Sequence, residues 1–217
     1  MLRSRIVLAA ALLVVTSGSA RAGAVAGRLY LSRSAAVADS AGHAKSFQRL
    51  QSGVRDAVVS IEPCPPEIER QLKRSASARG APRIDQAHMK FLPRVVVVAV
   101  GDSVQFTNLD TLYHNVFSVS SACHFDLGRM PPGQIESVRF TKAGVINLHC
   151  ELHPEMIGYV VVLPHRLIAR PDSLGVFALP PLPSGHYVLR AWHPHGGEVA
   201  QDFDVPRRGD AHVTLTF

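Results

Sequence analysis

The sequence predicts an all-β protein whose strand pattern falls into a longer run and a shorter one after it. Three observations carry this. Apolar residues, valine above all, alternate with polar ones over short runs, the pattern of strands with one buried face. Glycine and proline, 16 and 15 of 217 residues, punctuate those runs often enough to turn the chain after each. Beyond residue 163 the pattern restarts as strand, Pro/Gly turn, strand.

Taken in order, residues 1–22 read as a secretory signal. Arg3 and Arg5 form the charged start, residues 6–15 the apolar run, and Ala20-Arg21-Ala22 a small-x-small cleavage site. An apolar run of ten is too short to span a bilayer, and no cysteine follows it to carry a lipid. The expectation is a periplasmic or secreted protein, cleaved near Ala22 and without a membrane anchor. Strands are expected over 27–32, 57–62, 94–100, 103–108, 115–118, 135–140, 145–150 and 158–163. Within 103–108, Val104 and Phe106 alternate with polar neighbours, so one face is buried and one wet. Residues 35–53 have weak helical character, and 63–82, rich in Pro, charge and small residues, read as a loop or linker.

Charge excludes one class of function. Removing residues 1–22 takes three arginines and leaves 20 basic against 17 acidic residues, net +3 with histidine neutral. The basic residues are scattered, so nucleic acid is not an expected partner. Three cysteines remain, Cys64, Cys123 and Cys150. If Cys150 binds a metal, Cys64 and Cys123 could form a disulfide worth about 2–4 kcal/mol. They could equally stay as free thiols, or make a minor metal contact with His124.

The densest chemistry lies in His149-Cys150-Glu151-Leu152-His153-Pro154-Glu155-Met156, which puts a thiol, an imidazole and a thioether at i, i+3 and i+6. A second imidazole, His114, lies 36 residues upstream of the cysteine. Two His, one Cys and a weakly bound Met make the trigonal set with a long axial ligand of a blue-copper centre. Soft sulfur suits Cu(I) and imidazole suits both oxidation states. Structural zinc sites want more thiolates or a second His pair and seldom use Met.

The match extends beyond this loop. Phe91-Leu92-Pro93, Val95 to Val98, Gly101-Asp102-Ser103-Val104-Gln105-Phe106-Thr107-Asn108-Leu109-Asp110 and His114-Asn115-Val116 together resemble the small cupredoxins of the plastocyanin and amicyanin group, over about 83–163. The resemblance implies a Greek-key β-sandwich holding one type 1 copper ion through His114, Cys150, His153 and Met156. Asn115 takes the place of a side chain that ties the two ligand loops together. His153 takes that of the exposed ligand through which electrons leave, so redox donor and acceptor proteins would dock near it. Met130-Pro131-Pro132 reads either as a frame for that docking patch or as an ordinary turn.

Asp172-Ser173-Leu174-Gly175-Val176-Phe177 followed by Pro183-Ser184-Gly185-His186-Tyr187 resembles the carboxypeptidase-regulatory-like, transthyretin-like β-sandwich, over 164–217. Residues 23–62 resemble its missing opening strands, which implies that the cupredoxin is inserted into this module. The whole layout, with Phe125-Asp126-Leu127-Gly128 and Trp192-His193-Pro194, is similar to exported methylamine-utilisation or plastocyanin-like proteins.

The remaining histidines set the competing functions. His149 precedes the cysteine, and strand alternation turns it to the opposite face. Copper nitrite reductases carry a ligand to a second, catalytic copper there, but amicyanin has a histidine there with only the single blue site. The sequence shows no clear donor of the further ligands such a copper needs. His193-Pro194-His195 is an H-x-H, a pattern of multicopper oxidases, and here reads as an exposed strand end. His88, His124, His165 and His186 read as surface or loop residues. The expected function is single-electron transfer without enzymatic chemistry of its own. The alternatives are copper storage or sensing at the same ligands, an oxidoreductase subunit with a second copper at His149 or His193, and a structural sandwich with a vestigial site.

Overall fold

The computed structural model describes residues 22–31 and 53–217. The expected signal segment (residues 1–21 of it) and most of the weakly helical stretch 35–53 lie outside the described residues. The elements are strands β1 (Gly23–Tyr30) and β2 (Val58–Glu62), helix α1 (Pro66–Ser77), and strands β3 (Arg83–Ala87), β4 (Lys90–Leu92), β5 (Val95–Ala99), β6 (Ser103–Asn108), β7 (His114–Ser120), β8 (Cys123–Met130), β9 (Ile135–Arg139), β10 (Gly144–His149), β11 (Ile157–Leu163), β12 (Ile168–Ala169), β13 (Val176–Leu182), β14 (Gly185–His193), β15 (Gly197–Val205) and β16 (Ala211–Thr216).

They form four sheets, ordered β13-β1-β16, β12-β2-β14-β15, β5-β11-β10-β7-β8 and β4-β3-β6-β9. Side chains alternate across each strand, so each pair of facing sheets encloses a core. One core gathers Val25, Leu29, Ile61, Phe177, Leu189 and Val213 from the first two sheets. The other gathers Ile84, Phe106, Val116, Ile146, Leu148 and Val160 from the last two. A third, smaller cluster of Val58, Val95 and Val161, with Tyr159 and Trp192 against it, joins the second sheet to the third. β5 and β11 are therefore covered on both faces, which explains their nearly unbroken valine runs.

The earliest strands lie with the latest. β1 pairs antiparallel with β13 and parallel with β16, and Val58 of β2 pairs with Trp192 of β14. The Asp172-x-x-Gly175 turn has a local cause. Asp172 Oδ1 accepts the N–H of Leu174 and Val176 at 2.8 and 2.9 Å. Gly175 turns at φ +79°, where a Cβ would strike the Leu29 carbonyl. In the following hairpin the Tyr187 hydroxyl donates to the Pro183 carbonyl at 3.0 Å.

Several expectations need correction. Residues 63–82 are not a plain loop, because 66–77 form α1. Pro66 sits in its first turn, where its missing N–H costs nothing, Glu67 and Glu69 suit the positive end of the helix dipole, and Ile68 and Leu72 pack on the first core. Of the alternatives left open for Cys64 and Cys123, the structure has the free thiols and not the disulfide. Cys64 is packed against the first core and Cys123 against the second. Met130 is fully buried, and so frames no docking surface. His165 and His193 are buried rather than exposed.

Candidate metal centre

Both segments that carry the candidate ligands end at one pole of the second sandwich. His114 is the first residue of β7, Cys150 follows the last residue of β10, and the two strands are antiparallel neighbours. The loop from Cys150 to β11 closes on itself through a hydrogen bond from the Met156 N–H to the His153 carbonyl at 2.9 Å. Pro154 fixes its own φ and restricts His153.

Three donor atoms converge there. His114 Nδ1 lies 3.0 Å from His153 Nδ1, and Cys150 Sγ lies 4.0 and 3.7 Å from these two nitrogens. Atoms so spaced lie on a circle of about 2.1 Å radius, close to the ~2.0–2.3 Å that separates a first-row metal from imidazole and thiolate donors. Among the described residues this is the one group of three such donors that could hold an ion. Imidazole and thiolate without a carboxylate suit copper, so donor chemistry and spacing both fit. His114, Cys150 and Met156 are buried and His153 is half-buried, which leaves His153 as the most accessible of the four. Met156 packs in the same core cluster as Cys150.

The surrounding shell is well defined. Asn115 accepts the Glu151 N–H on its side-chain oxygen at 3.2 Å and donates its amide to Asp126 at 2.7 Å, linking the His114 strand to the Cys150 loop. Buried Asn108 shapes the loop before His114, donating to the Leu112 and Met130 carbonyls at 2.8 Å each and accepting the Asp110 N–H at 3.0 Å. Asp110, which sequence reading passed over, accepts from His114 Nε2 at 2.8 Å. Burial opposes its charge, but hydrogen bonds from the Met89 N–H, His114 and the His88 N–H outweigh this and hold its pKa below the usual carboxylate value. Its signal was a carboxylate four residues before a candidate ligand histidine.

Among the described residues, His149 and His193 lie outside this donor group. His149 stacks on Phe117, with ring centroids 5.6 Å apart. His193 uses both ring nitrogens, Nε2 donating to the Gly53 carbonyl at 2.8 Å and Nδ1 accepting the N–H of His195 and Gly196 at 3.2 Å each.

A metal-binding β-sandwich of the cupredoxin class is what this fold and donor set define. Residues 78–163 match the family of copper-binding proteins typified by plastocyanin and azurin, and the chain belongs to that family. Amicyanin of Paracoccus denitrificans is 38% identical over 92 residues, covering 39% of this chain and 67% of amicyanin. A solved amicyanin variant in its Cu(I) form is 37% identical, over 39% of this chain and 83% of that one, with a TM-score of 0.37. A copper-containing nitrite reductase from Thermus scotoductus SA-01 is 24% identical over 39% of this chain and 22% of its own, with a TM-score of 0.37.

Proposed function

We propose that this is an exported type 1 copper protein that carries single electrons between redox proteins, with copper held by His114, Cys150, His153 and Met156. The observation that supports this most is the three-donor triangle of two imidazoles and one thiol, backed by a buried thioether. Copper supplies a one-electron Cu(II)/Cu(I) couple. The chain's own part is to hold two imidazoles and a thiolate on two strand ends, so that little moves when charge changes, and to keep water from all ligands but one. His153 is that exception, and the exposed Leu152, Tyr113 and Leu112 beside the two ligand histidines offer an apolar surface for a redox partner. Glu151 and Glu155 are exposed in the same loop, which suits a partner that is basic at the contact.

Residues 23–62 and 164–217 we assign to one auxiliary β-sandwich of the carboxypeptidase-regulatory-like kind, with the cupredoxin of residues 83–163 inserted between them. The pairing of β1 and β2 with C-terminal strands supports this. His193 spends both ring nitrogens on backbone groups, which favours a packing role for it over a second copper.

The test is the visible absorption and EPR spectrum of the Cu(II)-loaded protein beside Cys150→Ser. An intense thiolate-to-copper band with narrow hyperfine splitting, lost in the variant, is expected. Ordinary tetragonal copper signals that ignore the substitution would refute the assignment and favour copper storage.

A further inference from the structure

The hairpin of β3 and β4 turns on two residues, His88 and Met89, both with left-handed backbones at φ 56° and 55°. This is the backbone of a type I′ turn, which asks for Asn, Asp or Gly. Neither residue is suited to it, since a side chain in the left-handed region costs about 1–2 kcal/mol per residue. Something must hold the turn, and the structure shows what does. Asp110 reaches across from the loop before β7, its Oδ1 accepting the His88 N–H at 2.7 Å and its Oδ2 the Met89 N–H at 2.9 Å. Two successive amides converging on one anion make a small nest. The same Oδ2 accepts from His114 Nε2 at 2.8 Å. Asp110 is itself held by buried Asn108, which accepts its N–H at 3.0 Å.

A carboxylate only accepts hydrogen bonds, so His114 must carry its proton on Nε2. That leaves the Nδ1 lone pair facing Cys150 and His153, the direction a ligand needs. We infer that Asp110, clasped by the His88–Met89 turn, is a positioning residue that fixes the tautomer and orientation of His114, making the β3–β4 hairpin a working part of the metal centre.

This rests on the copper reading for its consequence but not for its geometry. The hairpin lies 25 residues before His114 in sequence (Met89 to His114) and contributes no ligand. Without the clasp the carboxylate could rotate away, and the imidazole would be free to place its proton on Nδ1, where it blocks coordination. With metal bound, the carboxylate also favours the more positive Cu(II) state over Cu(I), through the ring it contacts.

The experiment compares wild type, Asp110→Asn and Asp110→Glu. In the metal-free proteins, nitrogen NMR reads the His114 tautomer directly. The Nε2–H form is expected in wild type. In Asp110→Asn an amide N–H can face the ring and the Nδ1–H form should appear, while Asp110→Glu, which keeps the carboxylate, restores Nε2–H. Competition titration should show Cu(II) binding about 10–100-fold weaker in Asp110→Asn, with Cu(I) binding less affected, so the reduction potential rises. Far-UV circular dichroism identifies a variant that fails to fold, and the wild-type tautomer then decides alone. An Nδ1–H His114 in wild type, or an Asp110→Asn protein with unchanged tautomer, affinity and potential, would overturn the inference. A wild-type protein without a blue band but with the expected tautomers would instead refute the electron-transfer reading and leave the positioning role standing.

Discussion

His165 and His193 show how alike two buried imidazoles can look in sequence and how differently they behave. Burial pushes the pKa of both below the ordinary histidine value. His193 meets its hydrogen-bonding needs in full, with Nε2–H donating to Gly53 and Nδ1 accepting two backbone N–H groups, and a proton added at Nδ1 would face both. His165 has no partner on either nitrogen among the described residues. An unpartnered buried polar side chain costs about 1–3 kcal/mol, so His165→Leu, similar in volume, should raise stability by about 1–2 kcal/mol in urea unfolding. A loss of stability would show that the ring has a partner after all. The pH dependence has a definite sign. A histidine with a depressed folded pKa contributes fully above its unfolded value, near 6.5, and loses that contribution as pH falls toward the folded pKa. Stability should therefore drop on acidification below about pH 6.5, and His193→Gln should drop less steeply while starting lower. A wild-type urea midpoint that stays level from pH 7.5 to 5 would contradict this. At this scale the candidate donors were legible in the sequence, because Cys150, His153 and Met156 share a short loop, and the structure brings Cys150 and His153 together with His114. The clasp on Asp110 and the burial of His193 were not, because both depend on contacts with residues distant in sequence, His88 and Met89 for one and Gly53 for the other.

Elements were legible where one physical pattern acted alone. The strand expected over 103–108 forms as Ser103–Asn108, because Val104 and Phe106 face a core while Gln105 faces water. Helix α1 was missed because its Pro-flanked, charged sequence resembles a loop by composition. The informative signals were the spacing of Ile68 and Leu72 and the prolines at its start. β8 was missed because its inward set, Cys123, Phe125 and Leu127, is only half-buried on an edge strand with His124, Asp126 and Gly128 between. The β3–β4 hairpin carries a residue choice that contradicts its backbone, and that contradiction is testable. Replacing His88 with Asn and Met89 with Gly supplies the residues a type I′ turn prefers while keeping both N–H groups on Asp110. The double variant should gain about 1–2 kcal/mol in denaturant unfolding, with copper affinity unchanged. Lower stability would mean that the His88 and Met89 side chains hold the turn themselves.

In the whole molecule the question is whether two sandwiches behave as one folding unit. Their junction is apolar at its centre, where Val58, Val95 and Val161 are all but inaccessible. Tyr159 and Trp192 extend it, their rings 5.3 Å apart. Polar ties surround the apolar centre. Arg94 pairs with Asp56 at 3.3 Å, Arg170 donates to the Val95 carbonyl at 3.1 Å, and Arg166 pairs with both Glu69 and Asp102. The chain also crosses between the sandwiches twice, before β3 and after β11, so neither can separate without straining both connections. Trp192, the only tryptophan, lies at this junction in the sheet of the first sandwich, whereas the metal centre lies in the second. Its fluorescence and the metal-site absorption therefore report on different bodies. In wild type the two signals should be lost together, at one urea concentration and in one transition. Val161→Asp places a charge at the centre of the junction while Val160 and Val162, which face the second core, stay in place. In that variant the Trp192 transition should move to lower urea and part from the loss of the metal site. Two separate transitions in wild type would mean that the junction is too weak to couple the sandwiches. A single shared transition in Val161→Asp would mean that the double chain crossing, not the valine contact, makes them one unit.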